Sequence, residues 1–190
     1  LDAEPSSSQS SFLLSISEEE LSDEVGGQSR IGVCFIDTSI GRFYLGQFLD
    51  DRYCSKLRTL FSHHPPVELI LEKGKMSLKL TEFWDASKTL KTIQEEYFKD
   101  SLPEVLLNMT DEGDALHQKA KSEYNLAIKS FGACVFYLKS CLVDEEMLTM
   151  NLIEEYKPLD EERNSLNSKS NMILDSVTLK NLEIFENSVG

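Results

Sequence analysis

Two runs of β-branched, aromatic and aliphatic side chains, residues 31–36 and 43–48, flank the turn-forming segment Asp37-Thr38-Ser39-Ile40-Gly41-Arg42. That arrangement predicts a β-hairpin. The first run, Ile31-Gly32-Val33-Cys34-Phe35-Ile36, is apolar without alternation, the pattern of a central strand buried on both faces. Such a strand needs a covering layer on each side of its sheet. A helical pattern follows at Asp50, so the chain opens an α/β domain with the sheet at its centre.

The rest of the chain divides by pattern. Residues 1–30 hold seven acidic residues and one basic, with Ser, Pro and Gly, and predict an acidic linker; Phe12-Leu13-Leu14-Ser15-Ile16 could close a preceding element. Asp50-Asp51 offer N-cap chemistry to a helix whose stripe is Leu57, Leu60 and Phe61, and Pro65-Pro66 must end it. Residues 67–71 form a short third strand, and 73–82 a polar connection. Asp85 precedes a second helix with Leu90, Ile93 and Tyr97 on one face, and 102–109 can add a turn or two after Pro103. Residues 110–121 read as a charged loop. Residues 122–143 predict a helix so apolar from Phe131 onward that it must be buried on most sides. Residues 144–170 read as an irregular interdomain connection, and 172–185 as a further amphipathic helix. The predicted organisation is therefore a linker over 1–30, an α/β domain over 31–160, and the start of a helical domain over 161–190.

Charge narrows the function. At −14 with a pI near 4.6, the chain repels phosphate, so a large direct nucleic-acid footprint is not expected. The four cysteines, Cys34, Cys54, Cys134 and Cys141, form no C-x-x-C pair or zinc spacing, and are expected to be buried reduced thiols of a cytosolic or nuclear protein. Cys134 and Cys141 are expected on one face of their helix. No run reaches the roughly 18 apolar residues of a membrane span. The chain has no signal peptide, does not begin with Met and reads as a piece of something longer.

Little catalytic chemistry is legible. Asp37 and Glu72 each end a predicted strand, and such a carboxylate pair could hold Mg²⁺ in a nuclease. That chemistry needs three or four converging acids, whereas Asp37 also suits a turn and Glu72 a solvated strand end. His63 and His64 sit where a cation meets a helix C-terminus, a structural role that outweighs catalysis. His117 has no partner nearby in sequence. Gly41 and Gly46 make no phosphate loop, and Trp84 reads as a staple at a helix start rather than a base-stacking platform.

Several collinear segments carry a resemblance. They are Gly32-Val33-Cys34-Phe35-Ile36-Asp37-Thr38-Ser39, Gly46-Gln47-Phe48 with Asp50-Asp51-Arg52, Pro65-Pro66-Val67, Glu72-Lys73-Gly74, and Phe83-Trp84-Asp85-Ala86-Ser87-Lys88-Thr89-Leu90. Cys134-Val135-Phe136-Tyr137-Leu138-Lys139 and Leu174-Asp175-Ser176-Val177-Thr178-Leu179-Lys180-Asn181-Leu182-Glu183-Ile184-Phe185 complete the set. Together they resemble the MutS family of DNA mismatch-repair proteins, most closely its eukaryotic sixth-homologue branch.

The resemblance implies a ribonuclease-H-like connector domain without nuclease activity, a mixed central sheet flanked by helices, followed by the first helix of an all-α lever region. It implies a nuclear protein that binds mismatched DNA through other domains and pairs with another MutS homologue as a heterodimer. MutL-type proteins are implied as further partners. ATP and Mg²⁺ are implied for the full-length protein and no cofactor for this segment. The family's Phe-x-Glu mismatch wedge and its Walker ATPase lie upstream and downstream, and neither motif is in these residues, so no catalytic, cofactor or metal residue carries over. The connection between Lys75 and Phe83 is shorter than the family's, and the loop at 110–121 also differs. Were a strand or helix among the missing residues, the sheet would be incomplete.

Overall fold

The computed structural model describes residues 11–22, 26–72 and 83–159. The predicted helix over 172–185, the connection over 73–82 and the first ten residues lie outside them. Five strands form one mixed sheet: β1 (Phe12–Glu20), β2 (Ser29–Asp37), β3 (Arg42–Asp50), β4 (Pro66–Leu71) and β5 (Leu152–Glu155), in the order β4-β1-β2-β3-β5. β1, β2 and β3 are antiparallel to one another in turn, whereas β4 runs parallel to β1 and β5 parallel to β3. The helices are α1 (Ser55–His63), α2 (Ala86–Glu96), α3 (Glu104–Asn108), α4 (Asn125–Ser140) and α5 (Asp144–Thr149).

The hairpin forms as its sequence predicts. Gly41 takes φ 70°, which only glycine adopts at no steric cost, and its N–H donates to the Asp37 carbonyl at 2.8 Å. β2 is covered on both faces, as its unbroken apolar run requires. Ile31, Val33 and Phe35 pack with Phe12, Leu14, Ile16 and Phe48 against Leu57, Leu60 and Phe61 of α1. Cys34 and Ile36 pack with Leu13, Phe43 and Leu45 against α4 and α2. Phe35, Phe43 and Phe131 are fully buried, and truncating any of them to Ala costs about 3–5 kcal/mol.

Small residues set how closely α4 approaches the sheet. A Cβ on Gly32 would stand 2.2 Å from the Leu126 carbonyl carbon, so the first turn of α4 rests on bare β2 backbone. Ser130 of α4 donates to the Gly32 carbonyl and lies 2.9 Å from Ser17 Oγ, satisfying two buried hydroxyls at the same contact. From β3, Gln47 reaches α4's start: its amide oxygen accepts from the Leu126 N–H at 2.8 Å, and its NH₂ donates to the Ser122 carbonyl at 3.1 Å. It thereby occupies one of the orphan donors that every helix start leaves.

Three sequence expectations change. Residues 12–20 are not a linker but β1, paired along its full length with β2. Its pattern was hidden because the positions facing α4 are Ser15 and Ser17, both buried, where bulk would push the helix away. The acidic residues 18–20 stay extended because the ladder holds them, with Glu18 accepting from Ser29 Oγ and Glu19 from Arg30. Residues 144–155 are not an irregular connection but α5 and the edge strand β5, too short for periodicity to show. The long apolar helix is shorter than 122–143: residues Ser122–Tyr124 form a 3-10 turn and the α-helix ends at Ser140.

Candidate functional site

The carboxylate pair fails on topology. β2 is antiparallel to β1, so Asp37 lies opposite Phe12 at the start of β1. β4 is parallel to β1 and its last residue, Leu71, lies opposite Ile16, so Glu72 follows at the other end. About five residues of strand, roughly 16 Å at the usual rise, separate the two levels. Carboxylates sharing a two-metal site clamp ions only about 4 Å apart. Each acid also has its own structural task. Asp37 accepts from the Ser39 N–H at 3.0 Å and from Ser39 Oγ at 2.5 Å, and Glu72 is ion-paired with Lys129 of α4. No cluster of three or more His, Cys, Asp or Glu suited to a metal occurs among the described residues. Mg²⁺ does not fit here.

The remaining sequence candidates resolve into structural roles. His64 packs against the rings of Phe12, Phe35 and Tyr44, with centroids 5.1, 4.8 and 6.1 Å away. Burial pushes its pKa down, disfavouring the charged form, and His63 is the exposed histidine in the last turn of α1. His117 lies in the 110–121 loop with Nδ1 3.2 Å from Thr110 Oγ1. Trp84 is buried edge-on against Phe136 at 5.8 Å, with Lys88 over its ring, so no face is open to a base. Cys34 and Cys134 are buried free thiols, but Cys54 is half-buried and Cys141 exposed, because α4 ends one residue before Cys141.

Asp50 and Asp51 do cap α1, although Cys54 is the N-cap residue in a left-handed conformation. Asp50 accepts from the Lys56 and Leu57 N–H groups at 3.0 and 2.9 Å, and Asp51 from the Ser55 N–H at 3.1 Å. Burial nonetheless raises the Asp50 pKa, those hydrogen bonds opposing it. Two tyrosines tie the helical segments to their neighbours, one to α5 and one to β5. Tyr97 donates to Asp144 at 2.5 Å and Tyr124 to Glu155 at 2.9 Å. Burial, with the acceptor carboxylate beside it, pushes the Tyr124 hydroxyl up to about 12.

A surface hollow of about 510 Å³ lies at the start of α4 between Arg30, Gln47, Lys121 and Asn125. Its cations are matched by neighbouring acids: Arg30 with Glu19 at 2.7 Å, Lys119 with Asp111 at 3.4 Å and Lys121 with Glu112 at 3.7 Å. A hollow so neutralised offers no concentrated positive field to phosphate. Gln47 sits in one of the resembling segments, yet its role was invisible in sequence because its partner Leu126 lies 79 residues away.

The geometry is thus that of a packed structural unit: a sheet gripped between helices, with interlayer polar contacts and no converging reactive groups among the described residues. Comparison with known proteins gives it a family. Residues 11–154 match MutS domain II. The chain is 42% identical to the DNA mismatch repair protein Msh6 of Homo sapiens and 39% to that of Gallus gallus, both along 100% of its length. It is 32% identical to MSH6 of Saccharomyces cerevisiae over 83% of its length. It spans about one sixth of the first two relatives, 16% and 17%. Those two alignments extend over 226 residues against the chain's 190, a difference of 36 that these relatives carry and this chain lacks. Chain and sheet together therefore belong to the MutS family, with MutS domain II running from residue 11 to residue 154.

Proposed function

We propose that this chain is the connector segment of a DNA mismatch-repair protein, relaying between the mismatch-binding and ATPase domains of a full-length MutS homologue. The observation that carries the reading is the domain II match over residues 11–154. The fold supports a relay because the sheet is locked to α4 by buried hydrogen bonds and close backbone contact. Packed layers of this kind transmit displacement rather than absorb it.

In this reading the fold is ribonuclease-H-like, the unit begins near residue 11, and the residues beyond 160 start an all-α lever region. The full protein acts in the nucleus as a heterodimer with another MutS homologue, contacts MutL-type partners, and binds mismatched DNA and ATP with Mg²⁺ through other domains. The segment itself has no ATPase activity and holds no cofactor. Its charge of −14 suits a domain that does not touch phosphate.

Two measurements test this. Fluorescence anisotropy of the chain with heteroduplex DNA at physiological salt should give binding no tighter than about 10⁻⁴ M, the weak end of non-specific affinity. In the full-length heterodimer, Ser130→Ala, which removes the Ser130–Gly32 and Ser130–Ser17 contacts, should leave mismatch binding intact and slow ATP-induced release. Unchanged release kinetics, or tight heteroduplex binding by the chain alone, would refute the relay.

A further inference from the structure

The end of the sheet that carries the β2–β3 turn is unusually apolar for an exposed surface. α4 starts over Gly32 and passes Cys34, where Cys134 Sγ lies 3.5 Å from the strand carbonyl. It therefore travels with β2 and ends beside the turn. α5 closes the same end, because a Cβ on Gly41 would stand 2.7 Å from Met150 Sδ and 3.5 Å from Met147 Sδ. β5 starts there too, with Leu152 opposite Arg42. Four large apolar side chains are exposed on this end: Leu142 at 89%, Met150 at 47%, Ile40 at 46% and Leu152 at 37%.

Leu142 is the most telling. It joins α4 to α5 at φ 61°, a left-handed position that suits Gly or Asn, and its side chain touches water on almost every side. Neither folding nor solubility asks for leucine there. Acids rim the patch: Asp144, Glu145 and Glu146 occupy the first turn of α5, and Glu154 follows on β5. The nearby cations are already engaged, Arg42 with Glu154 at 3.5 Å and Lys139 with Glu96 at 2.5 Å. The surface thus combines apolar anchors with a surplus of negative charge, and the complementary ligand is apolar with positive flanks.

We propose that this end of the sheet, centred on Leu142, Met150, Ile40 and Leu152, is a docking surface for a protein segment whose apolar residues are flanked by Lys or Arg. The inference deepens the relay reading by giving the domain a contact face, and it fails separately from it, since peptide binding and ATP-induced release are independent readouts.

The probe is a pair of synthetic peptides sharing one leucine core, one flanked by lysines and the other by glutamates, titrated into the isotope-labelled 190-residue chain and followed by NMR. The lysine peptide should shift resonances of Ile40, Leu142, Met150 and Leu152 and their neighbours. The glutamate peptide should bind at least about tenfold more weakly, a loss typical of mismatched charge and equal to about 1.4 kcal/mol. Leu142→Asn, which suits the left-handed backbone and so keeps the fold, should weaken the lysine peptide about tenfold, as loss of one anchor does. Ile40→Asn should do the same from the other side of the patch. Equal affinity for the two peptides, shifts confined to other acidic surfaces, or affinity unchanged in both variants would each overturn the proposal.

Discussion

Gly32→Ala places one methyl group where the structure has no room. The new Cβ would lie 2.2 Å from the carbonyl carbon of Leu126, 2.4 Å from its oxygen and 2.5 Å from its Cβ. Ordinary carbon contacts begin near 3.5 Å, so the first turn of α4 must lift by roughly 1 Å or more. Overpacking of this kind costs about 1–3 kcal/mol. The lift also stretches the Gln47–Leu126, Gln47–Ser122 and Ser130–Gly32 hydrogen bonds, each worth about 1 kcal/mol net. A total loss of about 4–6 kcal/mol follows, against a typical domain stability of about 5–15 kcal/mol. In urea unfolding followed by far-ultraviolet circular dichroism the midpoint should move down by about 2–3 M, for a slope near 2 kcal/mol/M. Gly113→Ala is the control, since its nearest neighbour would be Asp111 Oδ1 at 3.5 Å. It should stay within about 0.5 kcal/mol of the parent. A Gly32→Ala loss below about 1 kcal/mol would refute the claim that α4 rests on the β2 backbone.

Three further outcomes are expected. Burial lowers the His64 pKa, so between the folded value and about 6.5 the unfolded chain binds the extra proton. Stability should therefore rise with pH up to about 7, and His64→Phe should flatten that slope in thermal melts across pH 5–7.5; an unchanged slope would count against the burial argument. In the 110–121 loop, the backbone N–H of Gly113 lowers the Asp111 pKa and that of Gln118 lowers the Asp114 pKa. Their contribution is present above the ordinary carboxylate range and lost as pH falls through the folded values, so the protection of the Gln118 and Lys119 amides against exchange should drop on acidification, whereas in Asp114→Asn it should be reduced already at neutral pH and no longer follow that titration. Iodoacetamide under native conditions should label Cys141 first, and Cys34 and Cys134 only on unfolding, as mass spectrometry of the digested chain would show.

Where pattern and environment coincide, the sequence was sufficient. The unbroken run from Ile31 to Ile36 required a strand covered on both faces, and residues 37–42 required a turn whose Gly41 could take positive φ. Asp85 announced α2 and does accept from the Lys88 N–H at 2.7 Å. The collinear resembling segments identified the family, which the domain II match bears out. These features depend on neighbours within a few residues, and local chemistry determines them.

Tertiary structure alone decided the rest. β1 reads as linker because Ser15 and Ser17 are small for the sake of a helix more than 110 residues away, and three consecutive glutamates are held extended only by their partners on β2. β5 has four residues and no period of its own; pairing with β3 makes it a strand. Asp37 and Glu72 both end strands, but whether two strand ends converge depends on strand direction, which no spacing records. The same holds for Leu142, an unremarked residue in sequence that the α4–α5 corner holds out in solvent. Sequence specifies what each segment can be, whereas contacts between distant segments settle which faces are buried, which charges meet and which surface is left to bind.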